Sequence, residues 1–367
     1  MEQVNIESQF RRMTEIMTDE IGIVQHSDID MPIKKDKEPY PYSIDDVARA
    51  LIVLSRVSNI MPGIMPAHSI HRVYLDFIDR AKTEEGFFSN YQSLRGEPIK
   101  EQEIEQDCFG RTMWAWAEFL KGKFPEKDKE KVLQEILERV PHMLRLTYPN
   151  SEAFGLIACS HLANYLKDGE TADYVREVGA KVAYKLKKRY EDSLGDGWNW
   201  FDSEITYCSA RVPNSLLLAS ESLSDEDLAH VGKTTLDFLL SISFRPLEHE
   251  KIFYGIGNKG WFTKEQFLQG EQPSAYDQQS IEASSMTETC IDAERLTTVK
   301  SYRGIYAENA FKWFTGLNAN RASLLSPQHG VYDALTEKTI ENPAGLNKNQ
   351  GAESIIGYLM AATRMLD

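Results

Sequence analysis

Six stretches of this chain repeat one pattern: a polar or aromatic cluster, then a helix body of alanine, leucine and other small residues. They read Y-S-I-D-D-V-A-R-A-L from Tyr42, D-C-F-G-R-T-M-W-A-W-A from Asp107, S-E-A-F-G-L-I-A from Ser151, I-T-Y-C-S-A-R-V-P-N-S-L-L-L-A from Ile205, Y-D-Q-Q-S-I-E-A-S-S-M from Tyr276 and N-Q-G-A-E-S-I-I-G-Y-L-M-A from Asn349. A helix apolar on most faces must be packed inside other helices. Longer amphipathic segments alternate with these six, so the chain reads as six helical hairpins, each with one inner and one outer member. The expected fold is all-α, an (α/α)6 toroid of about twelve helices with one polar well. The recurrence runs from end to end, which favours one domain over residues 1–367.

The spacing predicts helices from about Ile6 to Val24, from Ser43, over Ser69 to Ala81, Asp107 to Leu120, Lys129 to Leu146, Glu152 to Leu166 and Thr171 to Tyr190. Others follow from about Tyr207, over Asp225 to Ser243, Asp277 to Glu294, Tyr302 to Leu317 and Gln350 to Leu366. Ser43 is a helix-start residue, and Asp45 and Asp46 sit in the first turn, where the helix dipole favours carboxylates. Strand-like alternation is scarce. The loop from Pro246 to Ala275 is long for a compact fold, and covering a binding well would account for it.

The formal net charge of -15 argues against a nucleic-acid backbone as ligand, which needs a concentrated basic surface, so a neutral ligand fits better. Nowhere do ~18 apolar residues run together, as a membrane span requires. The opening M-E-Q-V-N-I-E-S-Q-F-R-R-M lacks the apolar run of a secretory signal, so the expectation is a cytoplasmic protein. Cys108, Cys159, Cys208 and Cys290 lie far apart, with neither zinc-knuckle nor disulfide-framework spacing. The histidines show no H-E-x-x-H, and His71 and His161 read as packed polar residues; no metal and no cofactor is expected. G-I-G-N-K-G has a nucleotide loop's glycines without the strand and helix that would give them that role.

Carboxylates are the strongest chemical theme. Asp107, Asp202, Glu204, Asp277, Glu282 and Glu353 fall at or near the start of inner helices. Each alone reads as a cap or dipole partner. Together with Trp198, Trp200, Phe201, Tyr207, Trp261 and Tyr276 they suit a sugar site, where apolar faces meet oriented acceptors. Glycosidic cleavage needs a proton donor and a second carboxylate facing it. The helices opened by Asp107 and Asp277 are second and fifth of six and therefore opposite, which makes those acids the lead catalytic pair, with Glu204 the competing acid and Glu353 the competing base. A separation of roughly 6.5–9.5 Å gives inversion, and one near 5 Å a covalent intermediate. Asn258, Gln278, Gln279, Asn349 and Gln350 offer donors and acceptors for hydroxyl groups, and Arg111 could orient an acid or bind an anion.

The motifs D-C-F-G-R-x-x-W-A, W-N-W-F-D-S-E-I-T-Y-C-S-A-R-V-P-N-S-L-L, G-N-K-G-W-F, Y-D-Q-Q-S-I-E-A and N-Q-G-A-E-S, in this order, resemble those of six-hairpin glycosidase-like toroids. These are found in bacteria beside β-mannoside phosphorylases or fused to glycosyltransferases. The likeness spans about Ser43 to the end. The chain departs from it at Cys208 and Ser209, where the family carries aspartate and asparagine after the I-T-Y element. No catalytic weight therefore falls on that position.

The expected function is an inverting glycoside hydrolase acting on a short oligosaccharide such as a mannoside, with an oligosaccharide or monosaccharide as its ligand. The rivals are a non-catalytic glycan-binding partner of a glycosyltransferase or phosphorylase, and a sugar epimerase or isomerase. The last chemistry wants histidine bases, and the histidines avoid the converging motifs.

Overall fold

A computed structural model describes residues 6–28, 31–32, 39–66, 69–99 and 105–367. The residues 1–5 of the leading segment lie outside it. In chain order the helices are α1 (Glu7–Arg11), α2 (Ile44–Ile60), α3 (Ile70–Ala81), α4 (Gln106–Lys121), α5 (Glu126–Arg139), α6 (Pro149–Leu166) and α7 (Glu170–Ser193). They continue with α8 (Arg211–Leu223), α9 (Glu226–Ser243), the short α10 (Lys264–Leu268), α11 (Ser280–Thr297), α12 (Glu308–Lys312) and α13 (Ala352–Leu366).

Six of these close a ring: α2 packs on α4, α4 on α6, α6 on α8, α8 on α11, α11 on α13, and α13 back on α2. Outside it, α3 covers α2, α5 covers α4, α7 covers α6, α9 covers α8, α12 covers α11 and α1 covers α13. This is the (α/α)6 toroid that the alternation predicts. The inner helices are buried on nearly every face, as in the run from Asn150 to Ser160 of α6. Small residues permit the close approach: a Cβ on Gly110 of α4 would lie 2.8 Å from Phe154 Cβ and 2.9 Å from the Ser151 carbonyl of α6.

Several boundaries differ from the sequence reading, each for a local reason. The first helix ends as a π-turn at Arg12–Ile16 instead of running to Val24, because Asp19 accepts the backbone N–H groups of Ile21 (2.9 Å) and Gly22 (3.2 Å) and turns the chain. The fifth inner helix starts at Ser280 and not Asp277, since Gln278–Gln279 pairs antiparallel with Ala334–Leu335. The fourth starts at Arg211 and not Tyr207, after a turn in which Cys208 has φ +51°. The long loop after α9 contains a hairpin, Phe244–Leu247 with Glu250–Phe253, and then α10. Short strand pairs of this kind gather around the leading ends of the inner helices, where Glu204–Ile205 pairs with Phe262–Thr263 and Tyr42–Ser43 with Tyr91–Gln92.

The inner helices meet in a buried ionic belt. Arg56 of α2 reaches Glu288 of α11 at 2.9 Å and Glu118 of α4 at 3.5 Å; Arg211 of α8 reaches Glu288 at 2.7 Å; Arg364 of α13 reaches Asp292 of α11 at 2.7 Å; His161 of α6 lies 3.5 Å from Glu118. Every inner helix thus contributes a polar or charged group. Burial and the neighbouring Lys121 cation push the His161 imidazole down to about 3, so it stays neutral. Among the described residues, no helix is long and apolar enough to cross a membrane.

Candidate active site

Residues at the leading ends of all six inner helices line two cavities. The larger, about 650 Å³, is walled by Glu105, Gln106 and Asp107 of the α4 start, Tyr148 to Ser151 of the α6 start, and Trp200, Asp202, Glu204, Thr206 and Tyr207 before α8. The smaller, about 340 Å³, holds Ser43, Asp45, Asp46 and Arg49 of the α2 start, Asn258, Asp277 and Gln279 before α11, and Asp333, Asn347, Gly351 and Glu353 around the α13 start. Carboxylates far outnumber cations in both walls.

Asp107 is the best-held acid. Its Oδ1 accepts from the Ser151 hydroxyl and its Oδ2 from the Tyr207 phenol, while the Arg111 guanidinium lies 3.8 Å away. Burial first, and then the Asp107 charge, push the Tyr207 phenol far above its usual range, so it remains a donor. Asn150 fixes that loop by donating to the Tyr207 carbonyl at 2.9 Å.

Of two buried arginines nearby, Arg49 lines the smaller cavity and Arg111 lines neither of the two. Arg111 donates to Asp45 and stacks on Phe154, 4.6 Å from the ring centroid. Arg49 binds Asp46 at 2.8 Å and Glu353 at 3.3 Å. The adjacent Asp45 and Asp46 therefore engage different arginines, and the Asp45–Arg111–Asp107 chain ties the smaller cavity to the larger. Burial opposes the Arg111 charge, but Asp45 and Asp107 more than offset it and hold its pKa well above the ordinary value. In the Asp46 carboxyl the balance falls the other way, with burial raising its pKa despite Arg49.

The sequence candidates divide accordingly. Asp107, Trp200, Asp202, Glu204 and Tyr207 line the larger cavity; Asn258, Asp277, Gln279 and Glu353 line the smaller. Asp107 lies in the first turn of α4 and Asp277 just ahead of the opposite helix α11, and each lines its own cavity. Trp261, 38% exposed, leans on Tyr207 with ring centroids 6.0 Å apart. Glu282 lies buried behind the wall, where its Oε1 accepts from the Cys208 N–H at 2.5 Å. Burial raises the Glu282 carboxyl to about 8, so it is protonated at neutral pH. Gln278 and Gln350 line neither cavity: Gln278 accepts from the Trp313 indole at 2.7 Å, and Gln350 from the Ser326 hydroxyl at 2.7 Å. Trp198 and Phe201 are core. Of the histidines, His26 does reach the smaller cavity, against the expectation that all avoid the converging motifs.

Sequence reasoning passed over Asp45, Asp46, Arg49, Glu105, Asn150, Ser151 and Asp333. A signal for the first three was present. Both S-I-D-D-V-A-R and Q-D-C-F-G-R place an arginine one turn after an acid at an inner helix start, a spacing that lets the two side chains meet. The G-I-G-N motif also has its explanation: a Cβ on Gly257 would collide with the Tyr276 backbone, and the Asn258 N–H donates to the Asp277 carbonyl at 3.0 Å. The glycine lets this loop brace the segment that carries Asp277.

Among the described residues, the one His/Cys/acid group close enough to share a metal ion is Asp45, Glu105 and Cys108. Its chemistry suits a cation poorly, because burial and then the adjacent carboxylates push the Cys108 thiol well up, and Arg111 already occupies Asp45.

No protein-family profile matches the sequence, and neither does any curated protein. Solved structures do match in fold. A D-mannose isomerase is similar with a TM-score of 0.66 at 10% identity, over 98% of this chain and 96% of its own. A cellobiose 2-epimerase from Bacillus thermoamylovorans gives 0.67 at 10% identity, over 98% of both chains. An inactive variant of an α-1,6-mannanase from a Salegentibacter species, in complex with α-1,6-mannotriose, gives 0.59 at 11% identity, over 99% of this chain and 98% of its own. These are six-hairpin glycosidase-like enzymes, and the likeness establishes the shared toroid.

Proposed function

We propose that this chain is a glycoside hydrolase that cleaves a short neutral oligosaccharide, such as a mannoside, with two carboxylates of the larger cavity. The observation that carries the reading is Asp107, held by Ser151, Tyr207 and Arg111 in a cavity that Glu204 also lines. Held in one orientation by these groups, Asp107 is the base that takes a proton from water. Glu204, exposed at the rim, is the proton donor to the leaving oxygen. Water attacks the anomeric carbon as Asp107 accepts its proton, the glycosidic C–O bond breaks, and Glu204 protonates the departing oxygen, so the product is inverted. Asp277 and Glu353 then serve the smaller cavity, with Asn258 and Gln279 as hydroxyl partners. The complex of the related mannanase fold with α-1,6-mannotriose supports a mannoside as first substrate to try.

A second reading, isomerisation or epimerisation of a sugar, is favoured by His26 on the smaller cavity. Incubation of the protein with α-1,6-mannotriose and with mannose, followed by proton NMR of the anomeric region, separates the two. Release of β-configured reducing mannose supports inverting hydrolysis. Conversion of mannose to another hexose supports the rival, and an Asp107→Asn variant with full hydrolytic activity would reject the role given to Asp107. Binding without any product would leave a glycan-binding partner of a glycosyltransferase or phosphorylase as the remaining reading.

A further inference from the structure

Tyr148 is 62% exposed, yet it forms part of the larger cavity's wall. Isolated exposed aromatics are common and need no explanation of their own. This one differs in place and in mounting. Two other exposed tyrosines are engaged elsewhere: Tyr184 donates to Asp225 at 2.7 Å on the outer surface, and Tyr40 packs on Tyr91 with centroids 4.3 Å apart. Among the described residues, Tyr148 is the one exposed tyrosine or tryptophan in the wall of either cavity.

Its backbone is tied down from three sides. The Thr147 N–H donates to the Gln106 side chain at 2.7 Å, and Arg189 donates to the Thr147 carbonyl at 2.5 Å. The Tyr148 carbonyl accepts from the Glu152 N–H at 2.9 Å, and the Glu152 side chain, fully buried, is gripped by Arg189 at 3.1 Å and Lys185 at 2.7 Å. Pro149 then fixes the first residue of α6. The ring is thus carried on a backbone that needs no ordering when a ligand arrives, which lowers the entropic cost of binding to it.

Depth separates Tyr148 from the acid. Ser151 is buried and the Asp107 side chain is only 14% exposed, whereas the tyrosine ring stands at the mouth. A cavity of about 650 Å³ lies in the range of roughly 300–1,000 Å³ that holds a complete small ligand, so it has room for more than the unit over Asp107. We propose that Tyr148 is a stacking platform for an outer pyranose unit, which makes the larger cavity selective for an oligosaccharide over a single sugar. This rests on the carbohydrate reading given above. A pyranose presents an apolar C–H face to the ring while its hydroxyl edge turns to the acids of the wall.

Titration calorimetry of the full chain, with methyl α-mannoside, α-1,6-mannotriose and cellotriose, tests it. Tyr148→Ala is expected to weaken binding of the trisaccharide about tenfold and to leave methyl α-mannoside within about twofold, while Tyr148→Phe keeps wild-type affinity for both. An unchanged trisaccharide affinity in Tyr148→Ala, an equal loss for the monosaccharide, or a loss in Tyr148→Phe as large as in the alanine variant overturns the platform and leaves the carbohydrate reading standing. A wild-type protein that binds none of the three sugars at millimolar concentration overturns both.

Discussion

The Tyr207 phenol donates its hydrogen bond to Asp107, joining the loop ahead of α8 to the first turn of α4. Because burial and the Asp107 charge keep that phenol protonated, the donor is present throughout the working pH range. Asp107→Asn is expected to lower kcat by about 10²–10⁴-fold while the thermal melt stays near wild type. Tyr207→Phe keeps the ring against Trp261 and loses only the donor, so its kcat falls less, by about tenfold, with KM little changed. Steady-state rates on the substrate found by NMR check both, and a Tyr207→Phe enzyme with wild-type kcat would remove the donor from the mechanism.

Glu282 links stability to pH. Its carboxyl is raised by burial to about 8, with the Glu353 charge adding to the rise and the Cys208 N–H opposing it. In the unfolded chain a glutamate titrates near 4.3, so between those values the folded state holds the extra proton. Stability from this group is therefore full below about pH 4.3 and declines as pH rises toward 8. Glu282→Gln keeps an acceptor for Cys208 without the ionisation. Its melting temperature should gain on wild type steadily from pH 5 to pH 8 in paired calorimetric scans, and parallel curves would show that Glu282 is not the titrating group.

The toroid was legible because packing inside a ring leaves a one-dimensional trace: small apolar residues on every face of alternate helices, with Gly110 where α4 and α6 come closest. Opposition of the second and fifth inner helices followed from counting alone. The site was legible only in part. Which acids gather at the helix starts can be read from the motifs, but long-range pairs such as Asp45–Arg111, 66 residues apart, cannot. Gln278 and Gln350 fall away from the cavities because Trp313 and Ser326, distant in sequence, claim their amides. Local spacing carries no record of such partners.

Gly257 offers a test of how the smaller cavity is built. A methyl group there meets the Tyr276 backbone, which cannot move aside cheaply, and the same loop holds Asp277 through the Asn258 N–H. Gly257→Ala should cost about 1–3 kcal/mol in urea unfolding, the range for forcing extra atoms into a packed site. Gly260, three residues on, has nothing within 4 Å of its ideal Cβ position, so Gly260→Ala serves as the matched control and should be near neutral. Equal stabilities for the two variants would mean that the loop does not brace the Asp277 segment.

Glu288 sits where the ring is most exposed to failure. It receives Arg56 at 2.9 Å and Arg211 at 2.7 Å, and all three side chains are almost wholly buried. Burial alone would raise its pKa, yet Arg211 and Arg56 hold it below the usual glutamate value, so the folded state keeps the charge. Replacing Glu288 by alanine leaves two guanidinium groups away from water without their shared partner, a situation that typically costs about 3–5 kcal/mol. Glu288→Gln retains an acceptor and should cost less. Since the folded pKa is depressed, the wild-type contribution is present above the unfolded value near 4.3 and fades as pH falls through the folded one. The gap between wild type and Glu288→Ala in chemical unfolding should therefore be widest near pH 7 and shrink in acid. A gap that stays below about 1 kcal/mol at neutral pH would show that water or repacking satisfies Arg56 and Arg211, and that the belt does not join α2, α8 and α11 energetically.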